Sequence, residues 1–417
     1  MSLKLNYSPI DVQRRSSIVE VPSFSLPPLF LAVETEGDRI FFKHYTDRLS
    51  IIYTVEEEME SSFRKLVLPV AQNDKGLMHS ILSLASKHID YASPYGQRIL
   101  NEHPNVNVLE LQKRSEFHRQ QAYAELRERQ ADGSVSAIHL QIVCQILETL
   151  SDKHPTGSHK IHLEASQRLP PTSDPELNKF LEAFYRFHIL AYQSVYLPQT
   201  GHPYKKFQED WNPLSTLLQR DAVPLLGVSD PLLVEMSNIT NVRNKVRERF
   251  QKHIDPPVDY AALGEAAVID GRLREWKPVW AARDHRDLAG EVYRLMMCVY
   301  LKRTIFPPDS RDWKINPRIT ESVNDCLKCI SLVKPTDMLQ TVMLTPTFMV
   351  GCAAFEPEQR KKVRVAIAAV KTYMQHRNAD TAMLVLEEVW RLMDLKDERS
   401  WDWQTIAHEM GIDFLAT

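Results

Sequence analysis

The chain has 417 residues, of which 43% are hydrophobic and 25% charged, and it carries a formal net charge of -3 at pH 7. This balance is typical of a globular protein and excludes a disordered chain. The net charge also excludes a protein whose entire surface binds nucleic acid. No stretch approaches the roughly 20 apolar residues that cross a bilayer, so we predict an intracellular, soluble protein with no membrane partner.

The five cysteines are few and odd in number, so we predict reduced thiols and no disulfide framework. Cys326 and Cys329 form a C-x-x-C pair, but no second Cys or His pair stands at zinc spacing. We therefore predict neither a metal site nor a cofactor.

The predicted elements are all helical. Residues 1–37 are predicted to be a flexible tail, and from residue 38 apolar side chains recur every three to four residues. The predicted helices cover residues 38–52, 74–88, 109–130, 134–150, 157–169, 174–196, 230–254, 284–306, 319–333, 338–355, 357–376, 380–394 and 402–414.

Helices with wide apolar faces must pack against one another when no strands are available. The sequence therefore predicts an all-α fold, an irregular bundle of about a dozen helices over residues 38–417. Proline and glycine near residues 198–229 predict a break that divides this one body into two halves.

Two histidines share a helical stripe with apolar residues. Asp74 is predicted to cap the helix that carries His88, and His118 lies on the face of a later helix. A buried imidazole needs a hydrogen-bond partner, so both are predicted to be either satisfied core histidines or polar groups of a pocket.

The common catalytic signatures are absent. The segment from Gly227 to Asp230 lacks the second glycine of a nucleophile elbow, and His408-Glu409 lacks the second histidine of a zinc protease motif. We therefore predict no catalytic residue and a protein that is not an enzyme.

Two helices carry basic runs, at residues 243–249 and 360–364. Either run would suit nuclear import or an acidic partner, but apolar residues are interleaved at helical spacing. We interpret both as solvated helix faces.

Methionine and cysteine concentrate late in the chain, among them Met297, Met349 and Cys352. Flexible sulfur side chains fill irregular cores and also line adaptable binding surfaces. These three residues are predicted to fill the core, with a pocket for an apolar metabolite as the alternative.

Several segments, taken in order, resemble the regulatory domain of the fungal zinc binuclear cluster regulators, the fungal-specific transcription factor domain. They span nearly the whole chain from residue 38. The segments are Phe41-Phe42-Lys43-His44-Tyr45, the helix from Leu77 to His88, Gly351-Cys352-Ala353-Ala354 and Leu386-Glu387-Glu388-Val389-Trp390. The resemblance implies an all-helical fold, a nuclear location and control of transcription, frequently of a metabolic gene cluster.

Members of that family carry six cysteines that hold two zinc ions ahead of this domain, whereas the first cysteine here is Cys144. We therefore predict either a regulator that acts through other transcriptional regulators or as a homodimer without contacting DNA itself, or a regulator whose zinc module is missing from this sequence. Two alternatives remain open: a sensor of an apolar small molecule, and a domain recruited as a cyclase or dehydratase in secondary metabolism with His88 or His118 as its polar group.

Overall fold

The computed structural model describes residues 30–128, 134–155, 157–197, 226–228, 230–252, 254, 259–278, 284–307 and 315–417. No β-strand occurs in these ranges, which confirms the all-α prediction. The longer helices are α1 (Glu36–His44), α2 (Lys75–His88), α3 (Pro94–Glu102), α4 (Val108–Glu128), α5 (Val135–Thr149), α6 (Ser158–Ser166), α7 (Pro175–Val195), α8 (Asp230–Gln251), α9 (Tyr260–Glu275), α10 (His285–Ile305), α11 (Pro317–Ile330), α12 (Leu344–Gly351), α13 (Pro357–Met374), α14 (Asn378–Asp394) and α15 (Trp403–Glu409).

Side-chain caps start many of these helices. Asp74 accepts a hydrogen bond from the Leu77 amide at 2.8 Å, which confirms the predicted start of α2. At α7 the Asp174 carboxylate caps the first turn and Pro175 follows at the first helical position. Such caps satisfy amide donors that have no partner inside the helix, and proline has no amide hydrogen to leave unpaired.

Helix α2 is the centre of the N-terminal half and packs against α1, α4 and α5, with Leu77, Ile81 and Leu84 fully buried. Helix α10 takes the same place in the C-terminal half, against α8, α11 and α12. Helix α7 contacts both α8 and α15, and one continuous apolar core runs through the described residues.

The segment after α15 is held inside the body. The Gly157 amide donates to the Asp413 carbonyl at 3.1 Å, and the Asp413 amide donates to the Pro155 carbonyl at 3.2 Å. Gly157 has a φ of +79°, and a Cβ there would lie 2.4 Å from the Asp413 carboxylate. Only glycine fits this position without strain, because an L side chain is disfavoured at positive φ and has no space here.

The sequence prediction missed two of these longer helices, α3 and α9. In α9 the buried stripe consists of Ala262, Ala266, Ile269 and Leu273, and alanine gives little contrast with the exposed positions around it. The segment predicted as one helix over residues 338–355 begins instead as a 3₁₀ turn, Met338–Val342, ahead of α12.

The predicted tail and the predicted break lie mostly outside the described residues, which begin at residue 30 and exclude residues 198–225 and 229. Of the tail, residues 30–37 are described. Ala32 and Val33 are buried there, and α1 begins at Glu36.

Candidate functional site

A cavity of about 380 Å³ lies near the C-terminus, where α8, α14 and α15 meet the 3₁₀ turn Glu398–Trp401. We call it the C-terminal cavity. Its volume falls in the range of small-molecule sites, roughly 300–1,000 Å³. Its apolar lining consists of Phe250, Leu392, Trp401, Ile406 and Met410.

Beside this cavity, the Arg243 guanidinium is fully buried between two indoles. Its Cζ lies 4.1 Å from the ring centre of Trp401 and 3.6 Å from that of Trp403. Nη2 donates to the Trp401 carbonyl at 2.8 Å, and the Asp402 carboxylate is 3.5 Å away. Burial lowers the pKa of Arg243 to about 10, although Asp402 opposes that shift.

The Gln404 amide joins two arginines to the wall of the cavity. Its Oε1 accepts from Arg243 Nε at 3.0 Å and from Arg247 Nη1 at 2.8 Å. Its Nε2 donates to the Tyr196 carbonyl at 2.7 Å, at the end of α7. Arg247 lines the cavity and is itself buried. The cavity wall is therefore tied by hydrogen bonds to the C-terminal end of α7.

Arg303 supports the other side of the same turn. Its Nη2 donates to the Ser400 carbonyl at 3.1 Å, and the Trp401 indole donates to the Arg303 carbonyl at 2.6 Å. Burial lowers the pKa of Arg303 to about 9. Cys352 lies within electrostatic reach of Arg243 and Arg303, yet burial dominates and raises the pKa of its thiol.

His118 is fully buried in the N-terminal half, away from the C-terminal cavity. Its Nε2 lies 2.7 Å from Asp38 Oδ1, and its Nδ1 lies 2.8 Å from His79 Nδ1. Arg114 binds the same Asp38 carboxylate, with Nε at 2.6 Å from Oδ1 and Nη2 at 2.8 Å from Oδ2. His118 therefore belongs to a buried ion-pair network.

His88 lies in a second buried polar cluster. Its Nε2 is 2.8 Å from the Met374 carbonyl, and its Nδ1 is 3.0 Å from His44 Nε2. His376 packs edge-on against it, with ring centres 4.7 Å apart. Burial lowers the pKa of His88 to about 4, which keeps the imidazole neutral at pH 7.

Met297 and Met349 are buried in the core on the packed helices α10 and α12, and Cys352 follows α12 directly. None of the five pocket candidates, these three and the two histidines, lines the C-terminal cavity. Their assignment to a pocket stays a prediction, while the partners of His88 and His118 favour a structural role.

The interpretation of both basic runs as solvated faces was wrong in part. Arg243 and Arg247 are buried, as described above. Arg360 is buried as well: its Nε donates to the Ala354 carbonyl at 3.0 Å, and its Nη1 donates to the Asp394 carboxylate at 2.8 Å. Lys245 is half exposed and pairs with Glu265 at 2.7 Å. The buried members bind carbonyl and carboxylate oxygens of this same chain.

Sequence reasoning also missed the C-terminal cavity itself. The sequence did contain one signal of a buried charge in α8. Met236, Arg243 and Phe250 stand seven residues apart and therefore share one face of this helix. A cation on an apolar stripe indicates a buried charge. Its partners, Trp401 and Trp403, lie about 160 residues away, and no local pattern connects them.

Within the described residues, none of the helices has the length and hydrophobicity of a transmembrane segment. Comparisons with curated proteins and with solved structures give no match. The model of one family, described as the fungal specific transcription factor domain, matches residues 40–417. The chain therefore belongs to the fungal specific transcription factor domain family, and its role is in the regulation of transcription.

Proposed function

We propose that this regulator responds to a small organic effector bound in the C-terminal cavity and in that way controls a metabolic gene cluster. The observation that carries the proposal is the cavity itself, a space of about 380 Å³ with five apolar side chains in its lining. Most small-molecule sites are concave, apolar and largely formed before the ligand arrives.

A ligand in this cavity would contact parts of the chain that are distant in sequence. Phe250 lies in the last turn of α8, Leu392 belongs to α14 and Ile406 to α15. Trp401 ends the 3₁₀ turn between α14 and α15. Because Gln404 ties α8 to the end of α7, a ligand that favours one packing of these helices shifts both halves together.

The regulator acts in the nucleus through protein contacts, with another transcriptional regulator or a second copy of itself as the partner. The buried arginines support this part of the proposal. Arg243, Arg247 and Arg360 bind oxygens of this chain and so cannot serve as a contiguous basic face for the DNA backbone.

Transcript profiling tests the proposal. Deletion of the gene should change the transcripts of a group of neighbouring metabolic genes. Met410→Trp should fill the mouth of the cavity and abolish the response of those genes to the effector, while Leu384→Trp, on the exposed face of α14 outside the cavity, should leave it intact. Unchanged transcripts in the deletion strain would refute the regulator, and an intact response in Met410→Trp would refute the cavity.

A further inference from the structure

The polar lining of the C-terminal cavity carries more negative than positive groups. Four carboxylates line it, against the two guanidiniums of Arg247 and Arg399. The four acidic residues are Glu388, Glu398, Asp402 and Glu409.

Both guanidiniums already have partners in this chain. Arg399 Nη2 lies 2.6 Å from the Asp397 carboxylate. Arg247 donates to Gln404 and to Asn244 Oδ1, and its Nη1 is 3.9 Å from Asp402. An anionic ligand would have to displace these partners, so the cavity is poorly suited to a carboxylate or a phosphate.

The carboxylates divide into two groups. Glu388 binds Arg391 at 2.7 Å, and Asp402 lies 3.5 Å from Arg243. Glu398 and Glu409 form no ion pair within 4 Å in the part of the chain that the structure describes, although Arg399 lies within electrostatic reach of Glu409. The negative charge of these two carboxylates is therefore available to a ligand at the mouth of the cavity.

Apolar surface accompanies this charge. Phe250 is 43% exposed and Met410 is 39% exposed, while Leu392 and Ile406, deeper in the lining, are both only 4% exposed. A ligand with an apolar body would cover the first two side chains and contact the second two. Removing that apolar surface from water favours binding.

We propose that the C-terminal cavity binds a small organic cation, with a ring system or branched aliphatic body in the apolar part and an amine at the mouth beside Glu398 and Glu409. The inference rests on the proposed function, because it names the chemistry of the effector. A neutral ligand would leave the two carboxylates unused, and an anionic one would meet them as like charges.

Three naphthalene probes test this inference, since they share one apolar body and differ in charge. They are 2-(1-naphthyl)ethylamine, 2-(1-naphthyl)ethanol and 1-naphthylacetate, titrated into the full chain at pH 7 by calorimetry. We expect the amine to bind about tenfold more tightly than the alcohol and the acetate to bind most weakly, with the difference shrinking as salt is raised.

The double variant Glu398→Gln, Glu409→Gln should lower the affinity for the amine about tenfold and leave that for the alcohol unchanged. The matched control removes two exposed carboxylates elsewhere, with Glu321→Gln and Glu358→Gln, and should keep the preference for the amine. If the double variant fails to fold, each single variant should lower the affinity for the amine about threefold.

Equal affinity for the amine and the alcohol would overturn the cation inference and leave the effector cavity in place. Binding of no probe would overturn the inference as well. The proposed function is decided separately, by the response of transcripts in Met410→Trp, so the two failures are distinguishable.

Discussion

Replacing Asp38 by asparagine should destabilise the fold severely, because this carboxylate is the centre of a buried network. It is fully buried and accepts five hydrogen bonds, from Arg114 twice, from His118, and from the amides of Thr35 and Glu34 at 2.8 and 2.9 Å. Burial alone would raise the pKa of Asp38, but the hydrogen bonds from His118, Arg114 and the two amides outweigh it and hold the pKa well below its usual range.

The magnitude follows from what the amide cannot do. An asparagine keeps one acceptor oxygen but places an NH₂ group where the second carboxylate oxygen accepted hydrogen bonds. Arg114 therefore loses its buried counter-charge, and at least one hydrogen bond is replaced by two N–H groups that face each other. Removing one partner of a buried ion pair costs about 3–5 kcal/mol. Since Arg114 keeps some exposure to water, we expect about 3 kcal/mol for Asp38→Asn.

Urea unfolding at pH 7, followed by far-UV circular dichroism, measures this loss. The urea concentration at the unfolding midpoint should fall, while the dependence of the free energy on urea concentration should stay the same. Glu36→Gln is the matched control, because Glu36 lies in the same first turn of α1 but is exposed, and its ion pair with Arg39 should contribute less than about 1 kcal/mol. A free-energy change for Asp38→Asn no larger than that of Glu36→Gln would refute the reasoning.

Three further predictions concern stability. Burial lowers the pKa of His88 from 6.5 to about 4, so as the pH falls the unfolded state takes up this proton before the folded state does. The contribution of His88 to the free energy of unfolding should therefore be constant well above pH 6.5 and should fall by about 3 kcal/mol by about pH 4. A stability independent of pH between 7 and 4.5 would contradict this. Arg243→Met should lower the free energy of unfolding by about 3 kcal/mol in urea, since it takes away the donor to the buried Trp401 carbonyl and one of the two donors to Gln404 Oε1. Lys245→Met, on the exposed side of α8, should change it by less than about 0.5 kcal/mol. Gly264→Ala should stabilise the protein by about 0.5–1 kcal/mol and raise its melting temperature, because nothing lies within 4 Å of the added Cβ. Gly351→Ala should lower the melting temperature, because its Cβ would lie 2.8 Å from Leu386. The opposite order of the two melting temperatures would count against the described packing.

The sequence by itself determined the helical class and most of the helices, because the 3.6-residue period of the apolar side chains and the capping residues act over short distances. Asp74 and the stripe from Leu77 to His88 are one such case, and both are confirmed. The family resemblance was also readable from ordered local motifs, and the match over residues 40–417 confirms it. Helix α9 was missed because alanine and glycine weaken that same periodic signal.

Only the tertiary structure decided which polar residues are internal and where the chain leaves a cavity. The pairing of Asp38 with His118 spans 80 residues, and Arg243 meets Trp401 and Trp403 across about 160. No local pattern specifies such partners, because they depend on how helices from distant parts of the chain are packed together. A cavity is likewise a property of that packing, the space left where the ends of α8, α14 and α15 meet without filling it.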